Sequence, residues 1–165
     1  SVQQAQHEQL VRDYISQNNA YVQQMEDTVA LAEEVVDETS TVWSDAIWDD
    51  GTFVNGTYAA DFDEAILLLY AGYEEDGTLD QLIAGSEEME TGIEDLKAMP
   101  EELQDNYELT YEIYSEAKPL IDLAINPEGS YLTFTDRTEE LKVNTEDAFR
   151  DYEVLKVEAN DVIDE

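Results

Sequence analysis

The chain has 165 residues, 42 of them Asp or Glu against 7 Lys or Arg, for a formal net charge of -35. A surface of that sign repels DNA, RNA and anionic lipid headgroups. The absence of cysteine rules out disulfides, thiolate nucleophiles and zinc sites of the cysteine type.

Hydrophobic residues make up 42%, enough for a core despite the charge. Such acidity fits a high-salt or cell-surface setting, in which carboxylates keep a protein hydrated and dispersed. No apolar run approaches the ~20 residues of a membrane span; the longest is Ala65 to Ala71.

In chain order, residues 1–9 are polar and read as an N-terminal tether. The first fifty residues contain no Gly or Pro. From Val11 onward, apolar or small residues recur at Ile15, Val22, Met25, Val29, Ala32, Val36, Trp43 and Ala46, with Asn18 and Thr39 filling two gaps. Steps of four and three are a heptad seam, which packs against other helices. Continued to Asp50, this helix would be roughly 70 Å long. Asn18 at a seam position is tolerated where it finds a partner, and then sets register.

Asp49-Asp50-Gly51 is a stop signal, because Gly takes the left-handed conformation after a helix. Asn55-Gly56 marks a second turn. The segment to about Ala60 therefore reads as a loop. Trp48, Phe53 and Tyr58 are expected to fold back over the bundle end, with a recognition surface as the alternative. Asp61 or Asp63 caps the next helix, and Glu64 lies in its first turn. Its apolar centre, Ala65 to Ala71, predicts the most buried element. Asp76-Gly77-Thr78 interrupts it. Leu79, Leu82, Ile83, Ser86, Met89, Ile93 and Leu96 then resume helical spacing. Pro100-Glu101-Glu102 opens a further helix with a face of Leu103, Tyr107, Thr110, Tyr111, Tyr114, Ala117, Ile121, Ala124 and Ile125. Pro119 should kink it. The stretch 126–130 is a break. The last helix carries Phe134, Leu141, Ala148, Phe149, Tyr152, Leu155 and Ala159. Residues 161–165 form an acidic tail. No stretch alternates long enough to predict a sheet.

The fold class that results is all-α. It is an elongated antiparallel bundle of four main helices over residues 10–160, with a long N-terminal helix as spine and the second helix open to a break at Gly77.

Catalytic chemistry finds little support. A nucleophile-base-acid triad needs a histidine, and the one histidine, His7, lies in the polar N-terminal segment. Helix-bundle di-metal sites use Glu-x-x-His, which is absent. Glu74 to Asp80 resembles the middle of a calcium-binding EF-hand loop, but Gly72 and Ile83 fall where its end ligands should be. Asp49 and Asp50 with Asn55, or Asp61 with Asp63, remain weak candidates for an irregular calcium site. No cofactor is expected otherwise, and the chain is expected not to be an enzyme.

The segments "VWSDAIWDD…YAADFDEAI" and "LIDLAINPEGSYLTFTDRTEEL", with the "AFRDYEVLK" that follows, resemble small secreted helical lipoproteins of Gram-positive bacteria, some of them prophage-encoded. The resemblance spans roughly residues 20 to 157. It implies a helical ectodomain held at the cell surface by a lipid on a cysteine that would precede Ser1, with no catalytic residues. The expected function is therefore non-enzymatic binding of a protein or envelope component, in some such proteins linked to phage exclusion, by a monomer or dimer. The alternative is an acidic DNA mimic that inhibits a basic nucleic-acid-binding protein. Residues 61–126, with 19 acids and only Lys97 and Lys118 as cations, would be its face.

Overall fold

The computed structural model describes residues 1–163. Helix α1 runs from Val2 to Trp48, then strands β1 (Thr52–Val54) and β2 (Thr57–Ala59) form a hairpin. Helices α2 (Phe62–Asp76), α3 (Thr78–Asp95), α4 (Gln104–Ile125), α5 (Tyr131–Leu155) and α6 (Ala159–Ile163) follow, with a 3₁₀ turn at Glu101–Leu103 before α4. The class is all-α, as the periodicity requires.

Every seam residue on α1 from Val11 to Ala46 is buried, including Asn18 and Thr39. A second stripe is buried beside it at Tyr14, Tyr21, Thr28 and Val35, each one residue before a seam position and seven apart. The spine therefore buries a face wider than a two-helix seam, because it packs against several helices at once.

Contacts fix the directions of those helices. Thr28 meets Gly85 and Tyr21 meets Gly92, so α3 runs antiparallel to α1. Trp43 lies against Phe62, so α2 continues the same descending line. Thr110 bonds Asn18, while Tyr70, beside Thr39, donates to the Ala124 carbonyl; α4 thus runs parallel to α1. Tyr152 bonds Asn18 and Phe134 packs on Trp43, so α5 returns antiparallel. The result is an up-down-up-down bundle whose second helix is the pair α2–α3. Gly77, at φ 86°, breaks it as expected, and Asp76 Oδ1 accepts from Thr78 N at 2.9 Å across the break.

The α1–α3 contact is unusually close. A Cβ at Gly92 would fall 2.4 Å from two ring carbons of Tyr21, and one at Gly85 would fall 2.6 Å from Thr28 Oγ1. Glycines seven apart on α3 receive side chains seven apart on α1. Tyr14 and Tyr21 then donate hydrogen bonds to the Leu96 and Met89 carbonyls at 2.8 and 2.6 Å.

A buried polar network locks the middle of the rod. Asn18 Nδ2 donates to Tyr152 Oη at 2.8 Å, Thr110 Oγ1 donates to Asn18 Oδ1 at 3.1 Å, and Tyr152 Oη donates to Asn19 Oδ1 at 2.6 Å. Asn106 Oδ1 accepts from Val157 N at 2.9 Å and pins the chain after α5. Asn18 thus has partners on two other helices, which fixes register between them.

Several expectations are corrected. Residues 2–9 are helix, not tether, with Ser1 Oγ accepting from Gln4 N as the cap. Gln and Ala propagate a helix well, and polarity alone does not end one. Helix α2 is not the most buried element: only Ala65 and Leu69 are buried, and Leu67 is 72% exposed. It lies on the outside of the bundle end with the hairpin as its cover. On α4 the buried face includes Ile113 and Leu120, while Tyr111 is exposed. Pro119 does lie inside helix α4, which runs from Gln104 to Ile125, as expected. In the expected acidic tail, 161–163 belong to α6, and 164–165 lie outside the described residues.

Candidate functional site

The end of the rod where α1 stops is built by local backbone chemistry. Asp49 caps α1, and its N–H bonds the Asp45 carbonyl. Asp50 then turns left-handed at φ 54° and Gly51 sits at φ 116°. A side chain at Gly51 would collide with the Tyr58 hydroxyl and the Ala59 carbonyl. The expected loop is instead a two-residue hairpin. Val54 pairs with Thr57, Phe53 with Tyr58 and Thr52 with Ala59. Asn55 and Gly56 form its turn, both at positive φ (50° and 81°), which is the pattern of a type I′ turn. Two three-residue strands are too short for alternation to register in a sequence.

The hairpin is anchored on one face only. Val54 and Ala59 are buried with Ala46, Ala65 and Leu69 in a small second core. The other face carries Phe53 and Tyr58, a cross-strand pair with ring centroids 5.4 Å apart and planes at 62°. Tyr58 Oη donates to the Asp50 carbonyl at 2.8 Å, tying the hairpin back to the end of α1.

Trp48, Phe53 and Tyr58 do not plug the bundle end. They are 75%, 72% and 52% exposed. The plug is formed by Trp43, which is buried, stacks on Phe62 at 5.5 Å and 10°, and touches Tyr131 and Phe134. Residues five apart on a helix point about 140° from each other, so Trp43 and Trp48 cannot share a role.

Two of the calcium candidates, Asp61 and Asn55, make structural contacts of their own. Asp61 Oδ1 caps α2, accepting from Glu64 N at 2.9 Å, while Glu64 Oε2 accepts from Ala60 N at 3.0 Å. The side chain of Asn55 lies against Gly72. Asp63 sits in the first turn of α2, where a carboxylate complements the helix dipole. Among the described residues, no three His, Asp or Glu side chains converge on a point that would hold a metal ion.

His7 Nε2 lies 2.8 Å from Glu102 Oε1, a surface contact that ties the start of α1 to the turn before α4. Six of the seven Lys and Arg side chains form ion pairs with carboxylates. Positive charge therefore builds no patch, and the acids it leaves over dominate the surface.

Two hydroxyls near this end are held neutral. Burial pushes Tyr70 up to about 12 against the opposing effect of Thr39. Tyr73 is pushed up further by burial and by the neighbouring Glu38.

No helix among the described residues is long and apolar enough to cross a membrane. Comparison of the chain with protein families, with curated proteins and with solved structures found no match.

Proposed function

We propose that this is a non-enzymatic binding domain that engages a protein or envelope component through its aromatic hairpin end. The observation that carries the reading is the exposure of Trp48 and Phe53 on a backbone held rigid by the hairpin, the Asp61 cap and the small second core. At ~200 Å² per ring, the three aromatics expose on the order of 400 Å². That is about half of what one partner contributes to a standard interface of ~800 Å² per side. Aromatic anchors ringed by polar groups are the usual composition of a binding hot spot.

The resemblance to Gram-positive surface lipoproteins supports an extracellular place for this domain, with a lipid anchor outside the present sequence. A leader ending in a lipid-bearing cysteine upstream of Ser1 in the natural gene would support that placement, and an initiator Met at this point would end it.

The binding test is capture on the immobilised domain in about 0.5 M NaCl, where surface charge is screened. A partner held by Trp48 and Phe53 stays bound, and the double variant Trp48→Ala, Phe53→Ala loses it by at least ~30-fold while melting like the parent. Equal capture by parent and variant would overturn the reading. Loss of all capture in salt would favour the DNA-mimic alternative instead.

A further inference from the structure

Five of the ten tyrosines gather where α1, α3 and α4 meet. Tyr14 and Tyr21 form the buried part, with hydroxyls bonded to α3 carbonyls. Burial, and then the neighbouring Tyr107 phenol, push Tyr14 up to about 12. The outer part is a groove of about 650 Å³ between α3 and α4. Tyr107, Tyr111 and Tyr114 form one wall, spaced four and three so that they share one helix face. Their neighbouring ring centroids are 6.1 and 6.0 Å apart, with planes tilted by 32° and 37°. Glu90, Ile93 and Glu94 form the other wall.

Each end of this groove already holds an ammonium group of the chain itself. Lys97 Nζ contacts both oxygens of Glu94 at 2.8 and 2.9 Å, beside Tyr107 and Tyr111. Lys118 Nζ lies 3.3 Å from Glu90 and 2.8 Å from Asp122, beside Tyr114. Lys118 is mostly covered, but the Lys97 side chain is 55% exposed and is held by one carboxylate only.

We propose that this groove is a binding site for a basic peptide segment, whose Arg or Lys side chains lie over Tyr107, Tyr111 and Tyr114, pair with Glu90 and Glu94, and displace Lys97. Tyrosine faces attract cations through the ring quadrupole. A guanidinium also stacks flat on a ring while bonding a carboxylate in plane, which an ammonium cannot do. Arg is therefore the stronger occupant. The net charge of -35 supplies the long-range part by steering cationic chains toward the surface. The site is separate from the hairpin end: Tyr21, opposite Gly92, is ~40 Å along α1 from Trp48 at 1.5 Å per residue.

The test is calorimetric titration of the whole chain with an amidated tetra-arginine peptide in about 0.15 M NaCl. One saturable site is expected. Tyr111→Leu, which leaves charge unchanged and sits at a 47% exposed position, should weaken binding by about fivefold, the effect of one cation–π contact. Glu94→Gln should weaken it at least as much, and the equal charge change Glu139→Gln on α5 should not. Lys97→Ala should tighten binding by emptying the groove, beyond the effect of Arg150→Ala, which removes the same charge elsewhere. Absence of binding, non-saturating uptake, or equal effects of Tyr111→Leu and Glu139→Gln would overturn the proposal.

Discussion

Replacing Gly92 with Ala is expected to destabilise the protein, although the same change in an exposed helix gains about 1 kcal/mol. The new Cβ would lie 2.4 Å from Cδ1 and Cε1 of Tyr21. Carbon atoms rest at ~3.5–4.0 Å, so the ring has to retreat by more than about 1 Å. It has nowhere to go cheaply: Tyr21 is 7% exposed, and its hydroxyl donates to the Met89 carbonyl at 2.6 Å. Overpacking costs about 1–3 kcal/mol and the lost hydrogen bond about 1 kcal/mol. Set against the helix gain, the net loss is about 1–3 kcal/mol, or a melting temperature lower by about 3–9 °C at this chain length. Urea unfolding curves measure it directly. The decisive comparison is the same substitution in a Tyr21→Ala background, with sulfate added to hold the baseline fold. There the clash is absent, and Gly92→Ala should stabilise by about 0.5–1 kcal/mol. A stabilising effect in the parent, or the same sign in both backgrounds, would refute the close α1–α3 contact.

Tyr152→Phe should cost about 1–3 kcal/mol, because it leaves Asn18 Nδ2 without its acceptor and Asn19 Oδ1 without its donor; a change under about 0.5 kcal/mol in urea unfolding would mean that water takes over both bonds. Alkali should unfold the protein through its tyrosines. Tyr14 and Tyr70 stay neutral up to about 12 when folded, against 10.0 when unfolded. Their contribution to stability is thus whole below pH 10 and lost as pH rises to 12. Unfolding midpoints at stepped pH should fall across that window, and midpoints that stay level across it would contradict the burial of these phenols. Calcium and magnesium at equal concentration should raise the melting temperature alike, as diffuse counter-ions do. A calcium effect that saturates at micromolar concentration would reveal a specific site.

The α1 seam was legible because one rule governs it: small and apolar residues at heptad spacing are buried whatever surrounds them. The second stripe was not, since Tyr14, Tyr21 and Thr28 are polar at their tips and look like surface residues. They are buried because the α3 backbone offers room at Gly85 and Gly92 and acceptors at Met89 and Leu96, facts that belong to another helix. Leu67 misled for the converse reason. An apolar run says that an element is greasy, not that the fold has partners for all its sides. The helix stop at Asp49-Asp50-Gly51 and the turn at Asn55-Gly56 could be read from turn chemistry. The hairpin between them could not, because its stability comes from Val54 and Ala59 meeting α2. Trp48, Phe53 and Tyr58 face solvent rather than the bundle end that they are expected to cover. Helical geometry alone separates Trp43 from Trp48, and that signal was available in the sequence.

Aromatic exposure carries more information on this protein than on an ordinary one. Elsewhere scattered surface apolar residues need no explanation, but here carboxylates cover every helix and keep the chain dispersed. Aromatics gather at the surface in two places, the hairpin end and the Tyr107–Tyr114 face of α4, where Tyr111 is exposed and its two neighbours are half-buried. The two differ in what surrounds the rings. At the hairpin the proposed contact is made by the exposed rings of Trp48 and Phe53 themselves, so binding there should rest on apolar burial and persist in salt. In the α3–α4 groove Glu94 pairs with the exposed Lys97, which the proposed peptide would displace, so binding there should fade as salt rises. Opposite salt responses at two points ~40 Å apart on one rigid helix would mark independent sites, able to hold two partners at once. A common response would mean that charge alone draws both.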